Sequence, residues 1–220
     1  EHRVRIFDAP VDSYFDSWNS LAAELIREDF ISELGPDVVL LTSVVEAPWD
    51  LGVTSLGQRP ARHKTAAILY DLIPLLNQEQ YLGTAEMRGY YLRKLSWLKG
   101  ADMLLAISDS SRREGLAHLG LAPDRLVNVS AATDPNFAPG PITPEAEQQL
   151  RSRLGIQRGV VLYVPGGYDP RKNFERLIKA YSLLAPGLRS THQLVIAVRL
   201  ADHHRQELLA LRDSLQALPQ

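Results

Sequence analysis

The stretch V-V-L-Y-V-P-G-G-Y-D-P-R-K-N-F-E-R-L, residues 160–177, contains the signals that decide the fold. It begins with an apolar run rich in β-branched residues, which is typical of a buried strand. Residues 165–167 (P-G-G) end that strand and begin a loop. Asp169 can then cap a helix that we predict over Lys172–Leu184. A strand, a glycine-containing loop and a helix in this order indicate an α/β unit with a parallel sheet.

Two cations, Arg171 and Lys172, stand at the start of the predicted helix. The helix dipole favours acidic side chains there, by roughly 0.3–1 kcal/mol for each charge. An arginine fork and a lysine ammonium beside free backbone N–H groups would instead suit a bound phosphate. The alternative is a solvated first turn with two incidental bases. The local pattern leaves both interpretations open.

The composition is typical of a soluble globular protein. The chain has 220 residues, 45% hydrophobic and 23% charged, which suits one large domain or parts of two. A net charge of −2 gives no basic field for nucleic acid, so we expect no nucleic-acid partner. The chain has no cysteine, which fits a cytoplasmic location, and its six histidines show no metal-ligand spacing. No apolar run approaches the roughly 18 residues of a membrane span.

Apolar runs and amphipathic segments alternate through residue 130. This alternation predicts a doubly wound, Rossmann-like parallel sheet. The predicted strands cover Val4–Phe7, Asp37–Thr42, Lys64–Tyr70, Asp102–Ile107 and Leu126–Ser130. The predicted helices cover Ser17–Leu34, Thr84–Lys99 and a segment that ends at Gly120, in which Ser111 and Glu114 have the spacing of a capping box.

Residues 131–144 break the alternation with four prolines and a glycine and predict a linker. We therefore expect a first domain over residues 1–134, a linker with a short helix over 135–157, and the start of a second α/β domain over 158–220. The second unit has only two predicted strands, Val160–Val164 and Gln193–Val198, with helices Lys172–Leu184 and Ala201–Leu218. So few strands leave a core unfilled, so this unit should either dock on the first sheet or be incomplete.

Polar residues follow the predicted strands of the first domain, where parallel α/β proteins place their sites. Tyr70 and Asp71 end one strand, and an aspartate there can orient a sugar hydroxyl or act as a base. A turn that accepts local backbone hydrogen bonds is the competing interpretation. Ser108 begins a hydroxyl-rich run that can bind an acceptor or an anion, although helix capping explains the same residues.

Two further groups have both a functional and a structural interpretation. Glu46, with Trp49 and Asp50, lies in the loop after the second predicted strand, and this combination suits either carbohydrate contacts or an exposed loop. The helix predicted over Thr84–Lys99 carries the bases Arg88, Arg93, Lys94 and Lys99. A solvated helix face is the favoured interpretation of these bases, and contact with an anionic membrane surface is the alternative.

Three stretches of this sequence share a recognisable order and spacing. They are Y-D-L-I-P at Tyr70–Pro74, A-D-M-L-L-A-I-S-D-S-S-R at Ala101–Arg112 followed by G-L-A-P-D-R-L-V-N-V at Gly120–Val129, and G-G-Y-D-P-R-K-N at Gly166–Asn173. Together, with a linker between the second and the third, they resemble bacterial glycosyltransferases of family 4. These enzymes have the GT-B fold of two Rossmann-like domains, and the resemblance extends from about Glu24 to about Val198.

The resemblance implies that the N-terminal domain binds the acceptor and the C-terminal domain binds a nucleotide-diphosphate sugar. The residues implied at the donor are Gly166, Gly167, Arg171, Lys172 and Asn173, and those implied at the acceptor and sugar are Glu46, Tyr70, Asp71 and Ser108. Arg171 and Lys172 would contact the diphosphate and stabilise it as a leaving group, and Asp71 would be a third catalytic residue. No metal or other cofactor is then expected. Many relatives have His where this chain has Tyr70.

The implied reaction is hexosyl transfer with retention to a glycan or lipid-linked acceptor, in the synthesis of a bacterial surface polysaccharide. It would take place in the cytoplasm, with peripheral contact to the inner membrane as an open alternative. The glycine-rich loop expected after the first strand and the E-x7-E region expected after the donor loop are absent, which predicts a fragment with little activity alone. A non-catalytic nucleotide- or sugar-binding module, and another GT-B-like enzyme such as a phosphorylase or an epimerase, remain as alternatives.

Overall fold

The computed structural model of the protein describes residues 4–9, 18–46, 52–60 and 62–216. The chain divides into two compact units, Glu1–Asn136 and Phe137–Gln220. Each unit contains a parallel sheet with helices, so the predicted α/β class is confirmed. None of the helices in the described ranges is long and apolar enough to cross a membrane.

The first unit contains one four-stranded parallel sheet, in the order β1-β2-β3-β4. Its elements are α1 (Trp18–Glu33), β1 (Val38–Leu41), β2 (Lys64–Leu69), α2 (Ile73–Leu76), α3 (Gln78–Tyr81), α4 (Ala85–Gly100), β3 (Met103–Ala106), α5 (Asp109–Leu119), a 3-10 turn (Pro123–Arg125) and β4 (Leu126–Asn128). Val38 pairs with Lys64, Leu69 with Ala106 and Leu104 with Leu126, which sets the register across the sheet.

The core of the first unit lies where α5 packs on the sheet. Leu69, Leu104 and Leu126, from three neighbouring strands, are almost completely buried. The buried residues of α5 lie at a four-residue spacing, which turns one face of the helix towards these leucines. Gly115 lies on that face, and a Cβ atom there would come within 2.6 Å of Leu126 Cδ2 and 2.9 Å of Leu69 Cδ2. The glycine thus lets the helix backbone approach the sheet closely.

The second unit contains two parallel strands, which pair Val160 with Gln193 and Tyr163 with Ile196. Its elements are α6 (Pro144–Leu154), β5 (Gly159–Tyr163), a 3-10 turn (Pro170–Lys172), α7 (Phe174–Ser182), α8 (Pro186–Thr191), β6 (His192–Ile196) and α9 (Asp202–Gln216). The prediction that the strand near Val160 is buried is wrong, since Leu162 in its middle is 60% exposed. A sheet of only two strands offers the helices little surface to pack on, so the side chains of its strands stay partly exposed.

Other predictions of local structure also differ from the fold. Val4–Phe7 belongs to no strand, although the Phe7 ring lies 5.7 Å from that of Phe30. The short helices α2, α3 and α8 were not predicted, because four to six residues are too few to show a helical period. Finally, the N-cap of α5 is Ser108, three residues before the predicted cap at Ser111.

Candidate functional site

The carboxyl ends of β2 and β3 lie side by side in the first unit. Because Leu69 pairs with Ala106 in a parallel register, Tyr70–Asp71 and Ile107–Ser108 leave the sheet at neighbouring positions on one edge. The structure therefore brings together two of the sequence-predicted acceptor segments. This is the edge at which open parallel sheets bind ligands.

Asp71 begins a tight turn at this edge. Its Oδ1 atom accepts a hydrogen bond of 3.0 Å from the backbone N–H of Ile73, at the start of α2. The Asp71 side chain is exposed, and its charge lies close enough to the buried Tyr91 hydroxyl to affect the pKa of that group. Burial, and then the Asp71 charge, raise the pKa of Tyr91 to about 12. The hydrogen bond that Asp71 accepts is thus the one that the turn interpretation predicts.

Ser108 and Tyr70 are joined through Ser111. The Ser108 Oγ atom accepts from the backbone N–H of Ser111 at 3.1 Å and lies 3.0 Å from Ser111 Oγ. Ser111 Oγ in turn donates to the backbone carbonyl of Tyr70 at 2.5 Å. The capping box predicted for Ser111 and Glu114 is therefore wrong, because Ser111 links α5 to the end of β2. The Tyr70 ring remains 51% exposed at the same edge.

Glu46 lies in the segment that follows β1. Its backbone carbonyl accepts a hydrogen bond of 2.9 Å from the Tyr90 hydroxyl of α4. This contact ties the start of the loop to the buried side of a helix. Trp49 and Asp50, which the sequence groups with Glu46, lie outside the described residues.

The end of β4 adds polar groups that the sequence analysis missed. Asn128 donates from Nδ2 to Asp109 Oδ1 at 2.7 Å, and its Oδ1 accepts from the Ser130 backbone N–H at 2.8 Å. Ser130 has a φ of 59°, a left-handed conformation that is uncommon outside glycine. The signal that could have indicated Asn128 is a polar residue at the end of a predicted strand, the same signal that indicates Asp71 and Ser108.

The loop after β5 in the second unit is held by aromatic contacts. Tyr163 donates from its hydroxyl to the backbone carbonyl of Lys172 at 2.7 Å. The Tyr168 ring stacks on Phe174, with centroids 5.0 Å apart, and on His204 of α9, with centroids 3.8 Å apart. Gly166 adopts a φ of 80°, which favours glycine at this bend. The loop therefore has a defined shape.

Arg171 and Lys172 lie in the 3-10 turn and not in the first turn of the following helix. Asn173 has a φ of 54° and separates this turn from α7, which begins at Phe174. The predicted helix start at Lys172 is thus wrong, because a left-handed residue interrupts the chain there. Arg171 is 41% exposed at its side chain and forms an ion pair with Asp169. Within the described ranges, Lys172 has no ion pair.

The beginning of α7 adds hydrogen-bond donors to these cations. Asn173 precedes the helix without capping it through a side-chain hydrogen bond. The first N–H groups of an α-helix have no acceptor within the helix, and they favour an anion. The two cations and these amides make the loop suitable for a phosphate group. No cluster of His, Asp or Glu that could hold a metal occurs in the described part of the chain.

Comparisons with known proteins identify the fold. No protein-family model matches the chain. It is 16% identical to a glycosyltransferase from Rickettsia africae ESF-5, which matches with a TM-score of 0.59 over 91% of this chain and 49% of that one. WaaG, a glycosyltransferase involved in lipopolysaccharide biosynthesis, is 15% identical and matches with a TM-score of 0.61 over 96% of this chain and 54% of WaaG. The chain carries part of a GT-B fold.

Curated relatives of this GT-B chain are mannosyltransferases. A serotype-specific mannosyltransferase WbdA from Escherichia coli is 34% identical over 195 residues, which are 89% of the chain and 24% of WbdA. The O-antigen chain mannosyltransferase B from Escherichia coli is 30% identical over 100 residues, which are 46% of the chain and 26% of that protein. The chain spans about a quarter of the length of these relatives. The predicted resemblance to bacterial glycosyltransferases is confirmed, while the roles of Asp71, Arg171 and Lys172 stay predictions.

Proposed function

We propose that the protein to which this chain belongs is a glycosyltransferase that adds mannose to a bacterial surface polysaccharide. The observation that supports this proposal most strongly is the 34% identity to WbdA over 89% of the chain. The donor would be a nucleotide-diphosphate mannose, and the acceptor a glycan or a lipid-linked glycan. A lipid-linked acceptor would bring the protein to the cytoplasmic face of the inner membrane.

The second unit would bind the donor at the loop of residues 166–173. Arg171 and Lys172 would contact the diphosphate, and the amides at the start of α7 would add hydrogen bonds to it. In the transfer step the bond between the anomeric carbon and the phosphate oxygen breaks, and its electron pair goes to the diphosphate. Fixed cations stabilise that developing charge, so no metal is required for this step.

The first unit would bind the acceptor at the carboxyl edge of its sheet. Tyr70, Asp71 and Ser108 follow the ends of β2 and β3, where an acceptor hydroxyl could be oriented. Glu46 lies in the segment that follows β1 and would contribute from there. The acceptor oxygen would bond to the anomeric carbon on the face from which the diphosphate leaves, and the acceptor proton would pass to the departing phosphate oxygen, so that the anomeric configuration is retained. Asp71 would orient the sugar or the acceptor through its exposed carboxylate.

The test is a transfer assay with the protein in its full native length. The protein is incubated with a panel of nucleotide-diphosphate hexoses and a fluorescent oligosaccharide acceptor. We expect mannose transfer, and we expect NMR of the product to show the anomeric configuration of the donor. Binding without turnover would contradict the proposal in favour of a non-catalytic module. Phosphate-dependent glycan breakdown or sugar-nucleotide interconversion would point to a phosphorylase or an epimerase.

A further inference from the structure

Asp169 holds the Arg171 side chain by both of its carboxylate oxygens. Its Oδ1 atom accepts from Arg171 Nε at 2.9 Å, and its Oδ2 atom accepts from an Arg171 Nη nitrogen at 3.3 Å. Two such parallel bonds define the plane of a guanidinium group as well as its position. The side chains of Asp169 and Arg171 are 26% and 41% exposed, so the pair lies at the protein surface.

The backbone fixes the carboxylate that makes these bonds. Asp169 is the N-cap of the 3-10 turn, and its Oδ1 atom also accepts the backbone N–H of Arg171 at 2.8 Å. The next residue is Pro170, whose ring restricts the backbone between the two partners. Most surface ion pairs join two flexible side chains and contribute little. In this pair the acid is anchored, so it can determine the orientation of the base.

We propose that Asp169 is a positioning residue that orients the Arg171 guanidinium for the donor diphosphate. This inference rests on the proposed function of the same loop. A long side chain loses rotamer entropy when it binds a ligand, and an arginine that is already oriented loses less. Asp169 would thus increase affinity by preorganising the cation, although the acid itself does not contact the donor.

Two electrostatic effects of Asp169 oppose each other. Its negative charge lowers the net charge of Asp169, Arg171 and Lys172 to +1, which weakens the attraction of an anion over distance. Its hydrogen bonds hold the guanidinium in one place, which strengthens the short-range contact. At an exposed site long-range attraction is screened by salt, whereas short-range orientation is not. We therefore expect orientation to dominate at physiological ionic strength.

The experiment compares Asp169→Asn with the wild type in the full-length protein. Asparagine keeps an oxygen that can cap the turn, but it lacks the second carboxylate oxygen and the charge. Binding of a nucleoside diphosphate and of inorganic pyrophosphate is measured by calorimetry at 0.15 M salt. We expect affinity for both probes to fall on the order of tenfold while Tm stays unchanged. Glu147→Gln is the matched control, because Glu147 forms an exposed ion pair with Arg151 elsewhere in this unit, with Oε1 2.8 Å from Nε.

Two further variants separate orientation from a structural role. In a background of Arg171→Ala, adding Asp169→Asn should cause no further loss, because the acid acts through the arginine. Arg171→Lys keeps the charge but cannot make the bidentate contact, so it should also lose on the order of tenfold even if Asp169→Asn fails to fold. Unchanged affinity in Arg171→Lys would overturn the inference.

The remaining outcomes distinguish the inference from the proposed function. Tighter binding by Asp169→Asn would mean that Asp169 competes with the diphosphate for Arg171, and the inference would be wrong while the donor site stands. Unchanged binding would have the same consequence. A wild-type protein that binds neither a nucleoside diphosphate nor pyrophosphate would overturn the proposed function itself, and this inference with it.

Discussion

Two groups of charged residues, one in each unit, use similar side chains in opposite surroundings. In the first unit, Glu24 lies between Arg93 and Lys94, with Oε2 3.0 Å from Arg93 Nη1 and Oε1 3.8 Å from Lys94 Nζ. The side chains of Glu24 and Lys94 are only 1% and 3% exposed. In the second unit, Asp169 and Arg171 form an equally short pair at the surface. Burial, and not pairing, distinguishes the two groups.

The buried cluster joins segments that are distant in sequence. Lys94 Nζ donates to the carbonyl and the hydroxyl of Thr54, both at 2.9 Å, and lies 4.3 Å from the centroid of the Trp97 ring. Gln58 Nε2 donates to Glu24 Oε2 at 2.6 Å. These bonds fix residues 52–60 between α1 and α4. A charge that is desolvated in this way has a structural role, whereas Arg171 in the proposed donor loop, residues 166–173, has a side chain that is 41% exposed.

The largest expected effect is the loss of one buried charge. Lys94→Met removes one of the two cations beside the buried Glu24 carboxylate, which keeps only Arg93, and it also removes both hydrogen bonds to Thr54. Removal of one partner from a buried ion pair typically costs about 3–5 kcal/mol. We expect a decrease of that size in the free energy of unfolding, measured by urea denaturation. Lys99→Met, at an exposed position in the same helix, should cost less than about 0.5 kcal/mol.

A triple variant sharpens this prediction. Replacing Glu24, Arg93 and Lys94 together by methionine removes the whole set of charges and leaves apolar side chains of similar length. Buried ion clusters can often be replaced in this way with little loss. The triple variant should therefore be more stable than Lys94→Met alone. A Lys94→Met protein within 1 kcal/mol of the wild type would show that the cluster is solvated in solution.

In the proposed donor loop, loss of the cations should weaken ligand binding and leave stability nearly unchanged. Arg171→Ala with Lys172→Ala should weaken nucleoside-diphosphate binding by at least about 100-fold, equal to about 2.7 kcal/mol. The same double variant should change the free energy of unfolding by less than about 1 kcal/mol, because exposed ion pairs contribute little. Calorimetry and urea denaturation of the full-length protein measure the two quantities. Wild-type affinity in this variant would remove the diphosphate role from both residues.

The same comparison explains what the sequence could predict. The interpretation of the four bases of α4 as a solvated face is wrong for Arg93 and Lys94, whose side chains pair with the buried Glu24. Their partners lie 69 residues away at Glu24 and 40 residues away at Thr54, so no local pattern could indicate them. The loop of residues 166–173 was easier to predict, because Arg171 and the capping residue Asp169 lie within one short stretch.

Strand positions were predictable, and so were the starts of α1, α4 and α9 to within one residue, whereas the starts of α5 and α7 were not. Apolar runs locate β2, β3 and β5 to within about a residue, because a strand in a parallel sheet requires a continuous apolar segment. The start of α7 depends on the left-handed conformation of Asn173, which the residue tolerates but does not signal. Val4–Phe7 has the composition of a strand but no partner in the described part of the sheet.

Two glycines, one packed against the sheet and one in open space, test how much close packing contributes to stability. An alanine methyl group at Gly115 would meet the side chains of Leu126 and Leu69 at less than 3.0 Å, so either these buried leucines or α5 would have to shift. We expect Gly115→Ala to cost about 1–3 kcal/mol, the usual range for overpacking. At Gly167 the same methyl group meets no atom within 4 Å, so stability should not change. Thermal unfolding of the two variants gives the comparison, and equal losses would contradict it.

The smallest effect is expected at Asp102, which is an exposed acid with structural contacts. It accepts from Lys64 Nζ at 2.9 Å and from the backbone N–H of Thr65 at 2.9 Å. The hydrogen bond from Lys64, and then those from Thr65, lower the pKa of Asp102 to about 2. The unfolded chain has an ordinary aspartate pKa of about 3.9. The contribution of Asp102 to stability is therefore present above about pH 4 and is lost as the pH falls towards 2.

Asp102→Asn should accordingly show a flatter decrease of Tm between pH 4 and pH 2 than the wild type. The difference should be modest, because the Asp102 side chain is 44% exposed and its ion pair is screened by salt. Thermal unfolding at pH 5, 4, 3 and 2 in low and high salt measures it, with Asp124→Asn as an exposed control. Parallel acid profiles for wild type and Asp102→Asn would mean that the carboxylate is solvated. In that case this surface pair would have no structural role, unlike the buried pairs of Glu24 with Arg93 and Lys94.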